Sequence, residues 1–158
     1  MSDDQKITQT FLKHLKSDRT LMLRTASIPA RPMTAIMEDD QDHVAWVFSS
    51  VDTAFGQEIQ SRTEATGTFC SKGHDIFATV TGTLTPDHDR AVIERLWNPF
   101  VAAWYEGGKD DPKLRLFRFD LNKAEIWSDA SSLMAGVKIL MGIDPKDDYK
   151  DKKASVTL

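Results

Sequence analysis

EATGTFCSKGHDIFATVTGTLTP, residues 64–86, reads as a two-stranded hairpin, and the rest of the chain is organised around it. Its first arm is Glu64–Ser71, its turn Lys72-Gly73-His74 and its second arm Asp75–Pro86. In the second arm Ile76, Ala78, Val80, Gly82 and Leu84 point one way, and Phe77, Thr79, Thr81 and Thr83 the other. Successive side chains of a strand face opposite sides, so this alternation marks a strand with one covered face.

Working back towards the N-terminus, His43–Ser49 reads as a strand in which Val44, Trp46 and Phe48 share a face. Alternation turns Trp46 towards the interior. Asp39–Asp42 is a turn, and Ala30–Glu38 and Arg19–Ile28 are two further strands interrupted at Pro29, which cannot donate to a ladder. Residues 4–17 carry Ile7, Phe11, Leu12 and Leu15 at helical spacing. Asp52–Arg62 reads as a short helix capped by Asp52. Working forward, Asp87–Tyr105 keeps an apolar helical stripe from Val92 to Trp104, with Pro99 set to kink or restart it. Lys113–Leu121 and Lys123–Asp129 read as two closing strands, and 131–142 as a last helix. The expected domain spans 1–142. A charged, flexible tail is expected over 143–158, since eight of the ten residues 144–153 are charged. Strands without a helix after each cannot form a parallel sheet, so the class is mainly β, an α+β chain with an antiparallel barrel flanked by helices.

The 158 residues suit one domain with a full core. A net charge of −4 offers no basic footprint for nucleic acid, and the apolar runs are too short to span a membrane. The polar start MSDDQKITQT is unlike a signal peptide, and the lone Cys70 reads as a buried thiol; both fit a cytoplasmic setting. His14, His43, His74 and His88 have no metal-ligand spacing, so no metal site is expected. No Ser/His/Asp set can be assembled, and no catalytic side chain is assigned. Four tryptophans, Trp46, Trp97, Trp104 and Trp127, need a core, an interface or a flat ligand to cover them.

The chemistry concentrates at Phe48-Ser49-Ser50-Val51-Asp52-Thr53, where a strand runs into the short helix. Hydroxyls at Ser49, Ser50 and Thr53 beside a helix start can receive a phosphate, and Arg31 across the hairpin can grip it with its planar fork. From spacing alone the same residues read more readily as a helix cap with a surface arginine, since caps far outnumber phosphate sites at such turns.

Three stretches carry a family resemblance: Ala30-Arg31-Pro32-Met33-Thr34-Ala35, the Phe48-Ser49-Ser50 step, and Trp97-Asn98-Pro99 through Trp104-Tyr105-Glu106-Gly107-Gly108-Lys109-Asp110-Asp111-Pro112. With Ala124-Glu125-Ile126-Trp127 they resemble the general stress protein 26 group of the pyridoxamine 5′-phosphate oxidase-like split barrels, over roughly residues 5–130. The resemblance implies a six-stranded antiparallel split β-barrel with Greek-key connections. It also implies a homodimer with two clefts at the interface and FMN as cofactor, with FAD or a deazaflavin admitted. Arg31 is then expected at the phosphate or ribityl chain, and Pro32, Met33 and Thr34 along the ring. Phe48, Ser49, Ser50 and Thr53 are expected around ring and phosphate, Phe77 beside the cofactor, and Trp127 on the flavin of the other subunit. A small-molecule electron donor or acceptor would be the partner of such an oxidoreductase; a flavin-storing protein without turnover is the alternative. Phe55 stands where the group commonly has a basic residue, and no arginine follows Arg118, so vitamin B6 oxidation is not implied.

Overall fold

The computed structural model describes residues 2–128, 140 and 153–158. The hairpin of residues 64–86 is formed as expected: β4 (Thr63–Cys70) and β5 (Ile76–Pro86) pair antiparallel from Thr63↔Leu84 to Cys70↔Phe77. The other strands are β1 (Thr20–Thr25), β2 (Arg31–Ile36), β3 (Val44–Ser50), β6 (Leu114–Ser128) and β7 (Lys153–Thr157). Every pairing is antiparallel, in the order β3-β2-β1-β4-β5-β6-β7, and β3 also pairs with β6 from Val44↔Asp120 to Ser50↔Leu114. Strands β1 to β6 therefore close into a six-stranded barrel, and β7 extends the lower half of β6 beyond it.

The closure is uneven. β3 pairs with β6 over seven residues but with β2 over only two, Ala35↔Val47 and Ile36↔Trp46. Beyond Ala35 the two strands part, which leaves Arg31–Thr34 and Phe48–Ser50 facing each other across a gap. The barrel is split there. β2 stays attached to β1 throughout, from Thr20↔Thr34 to Leu23↔Arg31.

The interior holds Leu21, Leu23, Val47, Phe69, Val80, Leu84, Phe117 and Phe119, all at most 1% exposed. Helix α1 (Asp3–Asp18) packs its Ile7-Phe11-Leu12-Leu15 stripe into the same cluster, with the Phe11 and Phe69 rings edge to face at 5.7 Å. A Ser2–Gln5 capping box opens this helix, and Arg19 closes it in the left-handed region at φ 64°.

A second apolar cluster lies outside the barrel wall and corrects the sequence reading of Trp46. Val44 and Trp46 do share a face, but it is the outer one. They pack with Leu116 beneath Val92, Ile93 and Leu96 of α3 (Arg90–Leu96), while Ala45 and Val47 fill the interior. Covered on both sides, β3 is a continuous apolar run, from which alternation cannot choose the inner face.

Four further expectations change. The helix expected over Asp87–Tyr105 is two: α3 ends at Leu96, and Pro99 begins α4 (Pro99–Ala102), capped by Asn98 Oδ1, which accepts from Val101 N–H at 2.9 Å. Proline lacks the N–H that a first helical residue would leave unpaired, so it starts a helix rather than bending one. The two closing strands are one continuous β6, with the ladder to β5 slipping by one residue at Thr81/Gly82 and Asn122 left over as a bulge. Cys70 is exposed. The tail does not end free: β7 pairs with β6 from Lys123↔Thr157 to Trp127↔Lys153, with Ala154 buried. The remainder of the expected tail, 143–152, and all but Leu140 of the helix expected over 131–142, lie outside the described residues.

Candidate functional site

The gap between β2 and β3 is a cavity of about 620 Å³, inside the range of small-molecule sites. β2 contributes Arg31, Pro32, Met33 and Thr34, and β3 contributes Phe48, Ser49 and Ser50, with Thr53 just beyond. Eight of the ten residues expected at a cofactor thus share one cavity. The other two, Phe77 and Trp127, face each other across the β5–β6 ladder and do not line it. Phe77 is 39% exposed, and the Lys153 ammonium stands 5.3 Å from the centre of the Trp127 ring.

The wall on the β2 side offers backbone as well as side chains. Ala35 N–H bonds back to Arg19 C=O at 2.7 Å, so the paired groups of β2 are those of Arg31, Met33 and Ala35. Antiparallel alternation then turns the N–H and C=O of Thr34 towards the gap. Past the Ala35↔Val47 rung the ladder to β3 ends, and the polar backbone of β2 beyond it suits the edge of a flat ligand.

At one end lies the hydroxyl cluster. Thr53, not Asp52, caps the short helix α2 (Ala54–Glu58), accepting from Gly56 N–H at 3.1 Å. Its hydroxyl donates to Ser50 C=O at 2.8 Å and lies 2.7 Å from Ser49 Oγ. Thr53's one proton goes to the Ser50 carbonyl, so Ser49 Oγ donates to Thr53 Oγ1, and both protons are spent within the cluster; five residues of helix supply little dipole. The positive end of the cavity therefore comes from Arg31. Its Nε donates to Pro29 C=O at 3.2 Å, and its guanidinium lies 5.5 Å from the centre of the Phe55 ring. Phe55 is 1% exposed and lines the cavity floor. The position where the family pattern has a cation is here an aromatic platform under one.

Sequence reasoning missed Phe55 as a lining residue, together with Arg19, Asn98, Phe100, Trp104 and Tyr105. Tyr105 is 6% exposed, and its hydroxyl donates to Ser49 C=O at 2.6 Å, tying the loop after α4 to the end of β3. Burial, with Asp111 nearby, pushes its pKa up to about 12, so it remains a protonated donor at neutral pH. Tyr105 also packs on Trp97, and Trp97 on Phe48, at ring distances of 6.1 and 6.3 Å. Phe100 and Trp104 are both 83% exposed beside the cavity, so of the coverings open to Trp104 the core is not the one that takes it.

The cavity holds two guanidiniums, a phenol and hydroxyls, and among the described residues no carboxylate, imidazole or thiol lines it. It can grip an anion and a flat apolar ring, and offers no side chain poised as a base at neutral pH. Among the described residues no cluster of three or more His, Cys, Asp or Glu could hold a metal, and no helix is long and apolar enough to cross a membrane.

Comparisons with known proteins bear on the family and the fold. The profile of the family described as pyridoxamine 5′-phosphate oxidase like matches residues 6–149. A general stress family protein of Xanthomonas campestris is 50% identical, covering 84% of this chain and 93% of its own, with a TM-score of 0.77. The general stress FMN/FAD binding protein of Xanthomonas citri is 47% identical over 81% of this chain and 92% of its own, with a TM-score of 0.76. A general stress protein 26 of Jannaschia, at 22% identity and a TM-score of 0.82, covers 98% of this chain and 99% of its own and shares the fold. No curated protein matches.

Proposed function

The chain belongs to the pyridoxamine 5′-phosphate oxidase-like family, and on that premise we propose that the β2–β3 cavity binds a flavin, FMN first and FAD second, in a flavin-dependent oxidoreductase of the general stress type. The observation that carries the reading is the cavity itself. A gap between two strands of the barrel is lined by aromatic and backbone surface along its length and ends in an arginine beside three hydroxyls. That donor set fits a flavin: ring on Met33, Thr34 and Phe48, phosphate at Arg31, with Ser49, Ser50 and Thr53 able to reorient towards it. The relative from Xanthomonas citri, a general stress FMN/FAD binding protein, supports the same ligand.

When bound, a flavin supplies two-electron chemistry at its own ring, and the protein supplies binding and orientation. This accounts for a cavity with Arg31 and Tyr105 but no acid–base pair. Tyr105 fixes the Ser49 carbonyl, and with it the end of β3 that borders the gap. The reading includes a homodimer. Trp127 and Phe77 lie away from the cavity of their own chain, and Phe100 and Trp104 stand exposed at its mouth, where a second copy would cover them.

A flavin-storing protein without turnover is favoured by one observation, Phe55 in place of a cation, which leaves Arg31 the only charge at that end of the cavity among the described residues. The test is to load the purified protein with FMN and follow NAD(P)H consumption under air. Sustained turnover supports the oxidoreductase; tight FMN binding without turnover supports storage; no binding overturns both.

A further inference from the structure

The cavity has a second cation that the flavin reading has not used. Arg19, between α1 and β1, lines it, is exposed, and has no carboxylate partner among the described residues. Its place is set by the ladder. Ala35 N–H bonds to Arg19 C=O, whereas Arg31 pairs with Leu23, so the two arginines sit four residues apart along β2. At about 3.3 Å per residue their backbones are about 13 Å apart, one at each end of the gap. Arg31 is at the end with the hydroxyls of Ser49 and Thr53 and the Phe55 ring; Arg19 is at the end where the strands rejoin at Ala35↔Val47.

Arg19 is also an unusual residue for its backbone. It ends α1 at φ 64°, a conformation that glycine or asparagine adopts at lower cost. The chain carries a charged side chain at a helix cap where the fold would accept an uncharged one.

We propose that Arg19 is the redox-tuning contact of this site: resting on the flavin reading above, it faces the pyrimidine edge of the ring, N1 and the C2 carbonyl oxygen, while Arg31 holds the phosphate. An elongated ligand with its phosphate at the hydroxyl end directs its ring towards the Arg19 end. A flavin that has taken up two electrons and one proton carries extra negative charge at N1 and the C2 oxygen, and a guanidinium there favours that form over the oxidised one. Arg19 is accordingly a specificity residue for oxidation state, and Arg31 for the phosphate.

The test compares Arg19→Asn, Arg19→Lys and Arg31→Ala with the unaltered chain. Asparagine keeps the left-handed helix end and removes the charge, so the fold is retained, which circular dichroism checks. Affinities are measured for oxidised and dithionite-reduced FMN, and for riboflavin in both states, by fluorescence and anaerobic titration. Arg19→Asn is expected to bind oxidised FMN within about threefold of the unaltered chain and reduced FMN at least tenfold more weakly. A tenfold difference between the two losses corresponds to a midpoint potential about 30 mV lower for a two-electron couple. Arg19→Lys restores most of it, the selective loss persists with riboflavin, and the penalty of Arg31→Ala disappears with riboflavin. Equal loss for both oxidation states, or an Arg19 effect that vanishes with riboflavin, overturns the proposal and leaves the flavin reading intact. An unaltered chain that binds no flavin in either state overturns both.

Discussion

Arg31 and Tyr105 carry most of the site's chemistry, and they do so differently. Arg31 projects from β2 at the point where the ladder to β3 has ended, so its guanidinium owes nothing to a neighbouring strand. Replacing Arg31 with alanine removes a charge-assisted contact, which contributes about 1.5–3 kcal/mol, and leaves the interior untouched. FMN affinity is expected to fall at least tenfold with an unchanged melting temperature; an unchanged affinity removes Arg31 from the site. Tyr105 acts on the protein. Its pKa stands at about 12 in the folded chain against about 10 when unfolded. A folded-state pKa above the unfolded one gives stability that is full below pH 10 and lost as pH rises towards 12. Tyr105→Phe is therefore expected to be less stable than the unaltered chain by about 1 kcal/mol at pH 8, with the difference shrinking between pH 10 and 12. Denaturant unfolding of both chains across that range measures it; a difference independent of pH contradicts the buried phenol.

At the scale of elements, legibility followed burial. β5 could be read because one face is apolar and the other is threonine. β3 could be placed but not oriented, because Val44–Phe48 is covered inside by the barrel and outside by α3. β7 was hidden by the charged residues before it and shows only Ala154 and Val156 on its covered face. The cavity residues on β2 and β3 were legible through their motif. Phe55 was legible only as a departure from a pattern, while Arg19 and Tyr105 gave no local signal, since a helix cap and the end of an apolar stripe do not reveal what they face. The β5–β6 bulge is likewise a tertiary feature with a sharp test. A Cβ on Gly82 would lie 1.9 Å from Asp120 C=O, a backbone atom that cannot rotate away. On Gly67 it would meet the Leu21 side chain at 3.3 Å. Gly82→Ala is expected to cost about 3 kcal/mol or more, the upper end of overpacking penalties, and Gly67→Ala less than half as much. Equal unfolding midpoints for the two would contradict the register of β5 on β6.

For the whole molecule, the split in the barrel links fold to function. Six strands close because β3 leaves β2 after two rungs and spends its pairing on β6. The gap this opens is lined by residues of β2 and β3, with Arg31 and the hydroxyls at one end and Arg19 at the other. Its mouth is flanked by Phe100 and Trp104, both largely exposed, which the proposed second copy would cover. Sedimentation is expected to show a dimer, and Phe100→Glu with Trp104→Glu to shift it to monomer and weaken FMN together; a monomeric unaltered chain would contradict the shared site. The central claim, that the gap between β2 and β3 is a flavin site, is tested most directly by titrating FMN with the purified chain while following flavin fluorescence. Saturable quenching at micromolar protein, at one flavin per chain and lost in Arg31→Ala, is the expected result. Fluorescence that stays at the level of free FMN throughout the titration would contradict it.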